Sequence, residues 1–329
     1  MIDSHTQDGY PISIPDSFHG YKVLDYLGHG STCIVVLVED QRTHIKYSAK
    51  IMSVNDLQKR NMLKSVEREI KVLQELDHPH IIKVQETFEI RNKNEEYYVI
   101  IMEYCQNGDL LAFTINNGFQ NEKEKKKIII KFLEAIKYLH NKGISHGDIK
   151  SENILLDSCF SPKLCDFGFC RDKSIAGDDD KNGTLYYAAP ELFVKGQFDP
   201  KKVDIWAIGI TLYSLFELQF PFKDGKQSYI VKQIINHQLS ISKKLNSKIR
   251  CIVEKCTSMN PSQRPTIDDI LQSEYFSENQ SQKKNNNIMK SNKTSCIENQ
   301  NKHELKLEDK IPYNQSEEEI EIYESIFAF

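Results

Sequence analysis

The chain has 329 residues, of which 39% are hydrophobic and 27% charged, with a formal net charge of −4. This balance is that of a soluble globular protein; it offers no field for general nucleic-acid binding, and no apolar run approaches the ~20 residues of a membrane span. Eight cysteines without a Cys-x-x-Cys pair, after a polar N-terminus with no apolar signal core, exclude metal or redox spacing and imply reduced thiols in cytoplasm or nucleus.

Residues 1–20, punctuated by Pro11 and Pro15, read as an irregular extension. Residues 21–102 read as strand-rich, with short β-branched and aromatic runs at 21–27, 33–39, 45–52 and 97–102. Between the last two runs, Leu63, Val66, Ile70 and Leu73 recur at helical spacing and predict one amphipathic helix over 56–76. Residues 103–276 are dominated by helical patterning: Ile128, Phe132, Ile136 and Leu139 mark a stripe over 125–141, and a further helix spans 202–218. Beyond Phe276, residues 277–329 form a polar tail. Its first part, to residue 310, is too rich in Asn, Gln and Lys to offset its ordering entropy and reads as disordered; its last residues, 317–329, turn acidic and then aromatic. No internal repeat is evident.

Three segments carry chemistry. The run Leu27-Gly28-His29-Gly30 joins two predicted strands, and its glycines would let the backbone turn tightly and approach a phosphate chain, although a plain hairpin turn fits the same residues. Lys50 ends the next strand, and Glu69 shares the inward face of the following helix. A buried lysine needs an anion, so the pair explains both; Lys50 alone reads rather as a snorkelling surface lysine, and the ordered set of glycine loop, lysine and helix glutamate reverses that reading. The third segment holds His146-Gly147-Asp148-Ile149-Lys150, Asn153 and Asp166-Phe167-Gly168, a concentration of carboxylate, amide and ammonium groups that singly read as solvated surface residues.

In this order, followed by Ala189-Pro190-Glu191, Asp204 to Gly209 and Arg264, these motifs make residues 21–276 resemble the eukaryotic-type protein kinases, Ser/Thr class, of the calcium/calmodulin-kinase-like or AMP-kinase-like branch. The resemblance implies an α+β fold of two lobes, a small β-rich lobe over 21–102 with one regulatory helix and a larger helical lobe over 103–276. It implies ATP and Mg²⁺, with Asp148 as catalytic base, Lys150 beside the transferred phosphoryl, Thr184 bracing both, and Lys50 with Glu69 holding the other phosphates. Asn153 and Asp166 would hold the metal through hard oxygens. Leu27, Gly28, Gly30, Val35, Ser48, Met102, Glu103, Cys105, Asp109 and Leu155 would surround the nucleotide, with Met102 guarding the back pocket, Glu103 to Cys105 as hinge, and Ser48 where alanine is usual. Leu73, Val84, His146 and Phe167 would form the apolar stack joining the lobes, and Glu191 with Arg264 a buried ion pair.

The departures matter as well. Cys33 replaces the third loop glycine, and Gly147 replaces the arginine that normally receives a phosphorylated activation loop, so activity independent of loop phosphorylation is expected. The acidic triplet Asp178-Asp179-Asp180 stands near Thr184, either as a built-in charge or as a solvated loop. Cys165 faces the nucleotide or is a small buried hydrophobe. The partner implied is a protein substrate, its Ser or Thr followed by an apolar residue against Leu185 and preceded by a weakly preferred basic residue read by Asp109 and Glu152, with Ser214 where a third acid often sits. The terminal Ile326-Phe327-Ala328-Phe329 either docks on the small lobe or frays. The competing reading is a pseudokinase scaffold, supported only by Gly147 and Cys33; a small-molecule kinase is disfavoured by residues 183–191.

Overall fold

The computed structural model describes residues 15–30, 33–92, 95–172, 184–194 and 196–277. Ser31, Thr32, the acidic triplet at 178–180, Gly183 and the tail from residue 278, including the aromatic segment 326–329, lie outside the described residues.

The small lobe is built on one antiparallel sheet of six strands, ordered β1-β2-β3-β4-β6-β5. These are β1 (Ser17–Phe18), β2 (Tyr21–His29), β3 (Cys33–Asp40), β4 (Lys46–Ser53), β5 (Val84–Asn92) and β6 (Glu95–Glu103). Alternation sorts their side chains. Val36 and Val38 of β3, Ala49 and Ile51 of β4, and Val99 and Ile101 of β6 form one buried face; Cys33, Met52 and Ile100 form the other, against Leu57 and Val66 of the lobe's helices. The register pairs Val36 with Ala49 and Ala49 with Ile101, so one apolar row crosses three strands.

Two strands were not legible as such. Ser17 and Phe18 belong to the stretch expected as extension, yet they pair with Lys22 and Tyr21. The turn between them uses positive φ at both His19 (46°) and Gly20 (84°), the geometry of a tight two-residue hairpin, and Phe18 is buried beside Tyr21 and Phe88. In β5 the apolar alternation of Val84, Phe88 and Ile90 is broken by Glu86, where the register also shifts; its carboxylate accepts the Tyr21 hydroxyl.

The single helix expected over 56–76 is two. Ser53 caps α1 (Val54–Lys59), accepting the Asp56 N–H at 3.3 Å; the chain then breaks at Asn61, whose φ of 56° lies in the left-handed region that asparagine tolerates. Helix α2 (Leu63–Glu75) follows, and its buried face is Val66, Glu69, Val72 and Leu73, with Leu63 and Ile70 only half-buried.

The large lobe holds α3 (Leu110–Asn116), α4 (Glu122–Asn141), α5 (Pro200–Glu217), α6 (Gln227–Ile235), α7 (Ser247–Cys256) and α8 (Ile267–Leu271), with the short strands β7 (Ile144–Ser145), β8 (Ile154–Leu156), β9 (Pro162–Leu164) and β10 (Arg171–Asp172). Helix α5 is buried at every residue from Val203 to Leu215, which is why its sequence is apolar on all sides. Gly209 lets α7 approach it: a Cβ there would stand 2.7 Å from the Cys256 Cβ. Leu73 and Val72 of α2 join the large-lobe core with Phe167, while Val84 and Met102 touch both that core and the inner small-lobe cluster, so the lobes share apolar contact behind the cleft. No helix among the described residues is long and apolar enough to cross a membrane.

Candidate active site

Strand period two places Ser48, Lys50 and Met52 on the inner face of β4, opposite Ala49 and Ile51. From there Lys50 Nζ meets Glu69 Oε1 of α2 at 2.7 Å and Asp166 Oδ1 of the large lobe at 3.2 Å. The Lys50 and Glu69 side chains are 13% and 4% exposed and that of Asp166 is 41%, so the ammonium is shielded on the Glu69 side and open to the cleft on the Asp166 side. Burial disfavours its charge, but Asp166 and Glu69 together outweigh burial and hold the Lys50 pKa well above the lysine range. The Lys50 charge correspondingly lowers Asp166, against burial, while burial pushes Glu69 up in spite of Lys50. Asp166 has φ of 61°, an uncommon backbone state that aspartate accepts more readily than most residues. The next residue, Phe167, is fully buried and meets the His146 ring edge-on, centroids 4.9 Å apart, while Leu73 is buried in the same core. These are the residues expected to form the stack between the lobes.

A second polar system closes around Asp148. Its Oδ1 accepts from Thr184 N (3.1 Å) and Thr184 Oγ1 (2.9 Å). Its Oδ2 accepts from Asn153 Nδ2 (3.0 Å) and pairs with Lys150 Nζ (2.8 Å). Lys150 Nζ also donates to Thr184 Oγ1 at 2.7 Å, completing the ring. Burial works against the Lys150 charge, yet Asp148 prevails and raises its pKa. Asp148 is 4% exposed, and four donors fill the lone-pair sites a carboxylate has.

The loop carrying Asp148 hangs on Asp204 of α5, a residue the sequence marked only as a landmark. Asp204 Oδ2 accepts the His146 N–H (2.9 Å) and bonds His140 Nε2 (2.8 Å), and its Oδ1 accepts the Gly147 N–H (2.9 Å). The Asp148 N–H donates to His146 Nδ1 at 3.3 Å, leaving the other ring nitrogen to bond the Cys165 carbonyl at 3.0 Å. Gly147 has φ of +84°, and a Cβ there would lie 2.4 Å from the Phe169 carbonyl oxygen. The arginine of the family pattern is therefore more than absent: the backbone has closed over its place. A shallow depression open to solvent adjoins this point and is lined by Ser65, Arg68, Ser145, Phe169 and Arg171 among others.

Of the residues expected around the nucleotide, Val35 and Leu155 are half-buried, Ser48 is buried on β4, and Met102 and Glu103 end β6. Val35 is register partner to Lys50, and Ser48 to Met102. Glu103 is fixed on three sides: its N–H donates to Lys83 O (2.9 Å), its carboxylate accepts the Lys83 N–H (2.8 Å), and Lys163 of β9 meets both carboxylate oxygens at 2.9 and 2.8 Å. Sequence reasoning had no signal for Lys163, which comes from a distant hairpin. Leu27 is 41% exposed. Gly28 and Gly30 do not use the positive φ that the tight-turn reading anticipated; Gly28 is an ordinary strand residue paired with Val35, with nothing within 4 Å of where a side chain would stand. At Gly30 a Cβ would stand 3.1 Å from the Cys33 Sγ, so a side chain there would crowd that thiol. Asp109 caps α3 by accepting the Ala112 N–H at 2.8 Å. Cys105 is buried and its thiol is pushed up by burial to about 12; burial likewise raises Cys165, whose Sγ lies 3.4 Å from the Asn153 carbonyl. Burial thus disfavours the thiolate form of both.

Glu152, expected to read a substrate base, accepts the Tyr187 hydroxyl at 3.1 Å, and Ser214 donates to Thr211 O at 3.0 Å inside α5. Glu191 and Arg264 form a two-pronged pair, Nη1–Oε1 2.6 Å and Nη2–Oε2 2.7 Å, with Arg264 donating also to the carbonyls of Ser258 and Lys202.

A cleft between a β-rich and a helical lobe, with a sheet lysine bridging two carboxylates above a hydrogen-bonded acid, lysine and threonine, defines a two-lobed kinase. The chain belongs to that family: the protein kinase domain model matches residues 21–276. The chain is similar to the serine/threonine-protein kinase kin-29 of Caenorhabditis elegans, 32% identical over 259 residues, covering 78% of this chain and 31% of the relative. It is also similar to the carbon catabolite-derepressing protein kinase of Secale cereale (30% over 268 residues; 79% and 52% covered) and to the serine/threonine-protein kinase cds1 of Schizosaccharomyces pombe (29% over 288 residues; 83% and 62% covered). The chain thus spans from about a third to three fifths of the length of these curated relatives.

Proposed function

We propose that the protein is a Ser/Thr protein kinase that moves the γ-phosphate of ATP, with Mg²⁺, to a protein hydroxyl. The observation that carries this is the Lys50 ammonium held by Glu69 at 2.7 Å and reaching Asp166 at 3.2 Å across the cleft, because that contact requires both lobes and the intervening helix to be set for phosphate binding. Lys50 would neutralise the phosphates already bound. Asn153 and Asp166 offer an amide oxygen and a carboxylate. No group of three or more His, Cys, Asp or Glu able to hold a metal occurs among the described residues, and this sparse oxygen pair suits an ion such as Mg²⁺ that completes its shell with phosphate and water. The metal, when bound, would neutralise charge developing on the transferred group.

Asp148 would orient the attacking hydroxyl. All its acceptor sites are filled, so one donor must leave when substrate arrives. Thr184 Oγ1 is the exchangeable one, since Lys150 also holds it at 2.7 Å and Thr184 N stays bound to the same oxygen. Lys150, kept charged by Asp148, would then face the phosphoryl in transit. Val35 and Leu155 would sandwich the base, with the backbone of Glu103 and Cys105 bonding its edge.

A weak preference for an upstream basic residue follows from Asp109 and Glu152 each carrying a structural bond, which leaves them partly committed. Activity independent of loop phosphorylation is supported by the closed backbone at Gly147. The free thiols of the described cysteines support a cytosolic or nuclear setting. Incubating wild type and Asp166→Ala with Mg-ATP and a generic basic protein tests the reading. Transfer by wild type alone supports it; none by either, in folded protein, leaves a scaffold in its place.

A further inference from the structure

Ser48 stands on the cleft face of β4 and is 8% exposed. Its Oγ lies 3.2 Å from the Glu103 carbonyl oxygen, to which it donates, and 3.5 Å from that of Met102. The sheet does not need this bond, because β4 and β6 are already paired by their backbones from Tyr47 to Ser53. The carbonyl is not free to drift either: the Glu103 amide, its carboxylate, Lys83 and Lys163 fix that residue. A hydroxyl and a hinge carbonyl therefore stand side by side, in fixed positions, where the edge of a base would arrive.

We infer that the Ser48 hydroxyl sets how strictly the cleft separates amino-purine from oxo-purine nucleotides; this rests on the nucleotide reading above. A bare carbonyl accepts from the exocyclic amine of adenine and repels the exocyclic oxygen of hypoxanthine. The serine changes the second case only. With an amine, the Glu103 oxygen uses one lone pair for the base and keeps Ser48 on the other, since a carbonyl accepts two hydrogen bonds. With an oxo group, the hydroxyl turns about its Cβ–Oγ bond and donates to the base oxygen, supplying the donor the carbonyl cannot. Ser48 thereby widens the range of purines used, where an alanine would leave the carbonyl alone to choose.

The test compares wild type with Ser48→Ala, using ATP, ITP and purine riboside triphosphate, which carries neither exocyclic group. The expected result is that the ATP-to-ITP ratio of kcat/KM rises about fivefold in Ser48→Ala, the size of one neutral hydrogen bond, while the ATP-to-purine-riboside ratio stays within about twofold. An unchanged ATP-to-ITP ratio in an enzyme that uses ATP overturns the inference and leaves the kinase reading standing. An equal loss on the purine riboside nucleotide overturns it too, because the hydroxyl would then not be reading that substituent. Failure of wild type to bind or use any of the three overturns the nucleotide reading, and this inference with it.

Discussion

Two of the charge clusters in this molecule are built differently, one buried in the large lobe and one facing the cleft. Arg264 and Glu191 meet as two matched forks, both prongs at 2.6–2.7 Å, in the floor of the large lobe, with the Arg264 side chain 0% exposed. Lys50 is a single ammonium divided between Glu69 at 2.7 Å and Asp166 at 3.2 Å, on three separate elements. A fork fixes one geometry and has no site left over; a point charge shared by two lobes can exchange a partner when phosphate arrives. The first arrangement fastens the fold, and the second is poised for ligand. Substitutions should separate them cleanly.

The largest effect is expected at the poised cluster and on activity. Lys50→Met should lower kcat/KM for phosphotransfer by about a thousandfold or more, yet cost less stability than Arg264→Ala, because Glu69, already raised by burial, can take up a proton once Lys50 is gone and Asp166 is 41% exposed; kinetics and denaturant unfolding on the same preparation check both halves. The fastened cluster should answer in the opposite sense. Arg264→Ala strands the Glu191 carboxylate and opens the Ser258 and Lys202 carbonyls, at a cost of about 3–5 kcal/mol in denaturant unfolding, with residual enzyme retaining its KM for ATP. If Lys50→Met were as destabilising as Arg264→Ala, the contrast would fail.

Gly147→Arg sharpens the comparison from a third position. Restoring the family's arginine puts a side chain at φ of +84° and 2.4 Å from the Phe169 oxygen, so it should destabilise by about 2–3 kcal/mol rather than create a phosphate receiver. A gain in activity on loop phosphorylation in this variant would contradict that expectation. The smallest effect concerns pH. His80 is pulled down to about 4 from 6.5 by burial, with Lys131 and His78 adding to it. Between those values the unfolded chain takes up a proton that the folded one refuses, so stability should fall as pH drops from 6.5 towards 4 and level off below. Because the ring is partly solvated, about 1 kcal/mol is expected; His80→Gln should lose that part of the acid sensitivity in urea unfolding at pH 7.5 and 5.

What the sequence revealed divides along similar lines. Asp148, Asn153 and Asp166 were legible because they sit at short spacing within one segment, and Lys50 and Glu69 because strand alternation and helical spacing turn both inward. The partners that hold those residues come from far along the chain: Asp204 beneath His146 and Gly147, and Lys163 against Glu103, pairs that no local pattern signals. Strand β5 was hidden by Glu86 interrupting its alternation, and β1 by lying in a stretch that looks irregular until Phe18 finds Phe88. The break between α1 and α2 had a local cause, the left-handed Asn61, outweighed by the helical periodicity around it. Neither Gly28 nor Gly30 has positive φ: Gly28 leaves open space beside it, while Gly30 makes room for the Cys33 thiol.

The account depends most on Asp148 acting where substrate and phosphoryl meet. Asp148→Asn keeps the side-chain volume and removes the charge. Single-turnover transfer of labelled γ-phosphate, measured beside ADP affinity, should fall by about a hundredfold or more with affinity within about twofold of wild type. Transfer at the wild-type rate in a folded Asp148→Asn protein would contradict it.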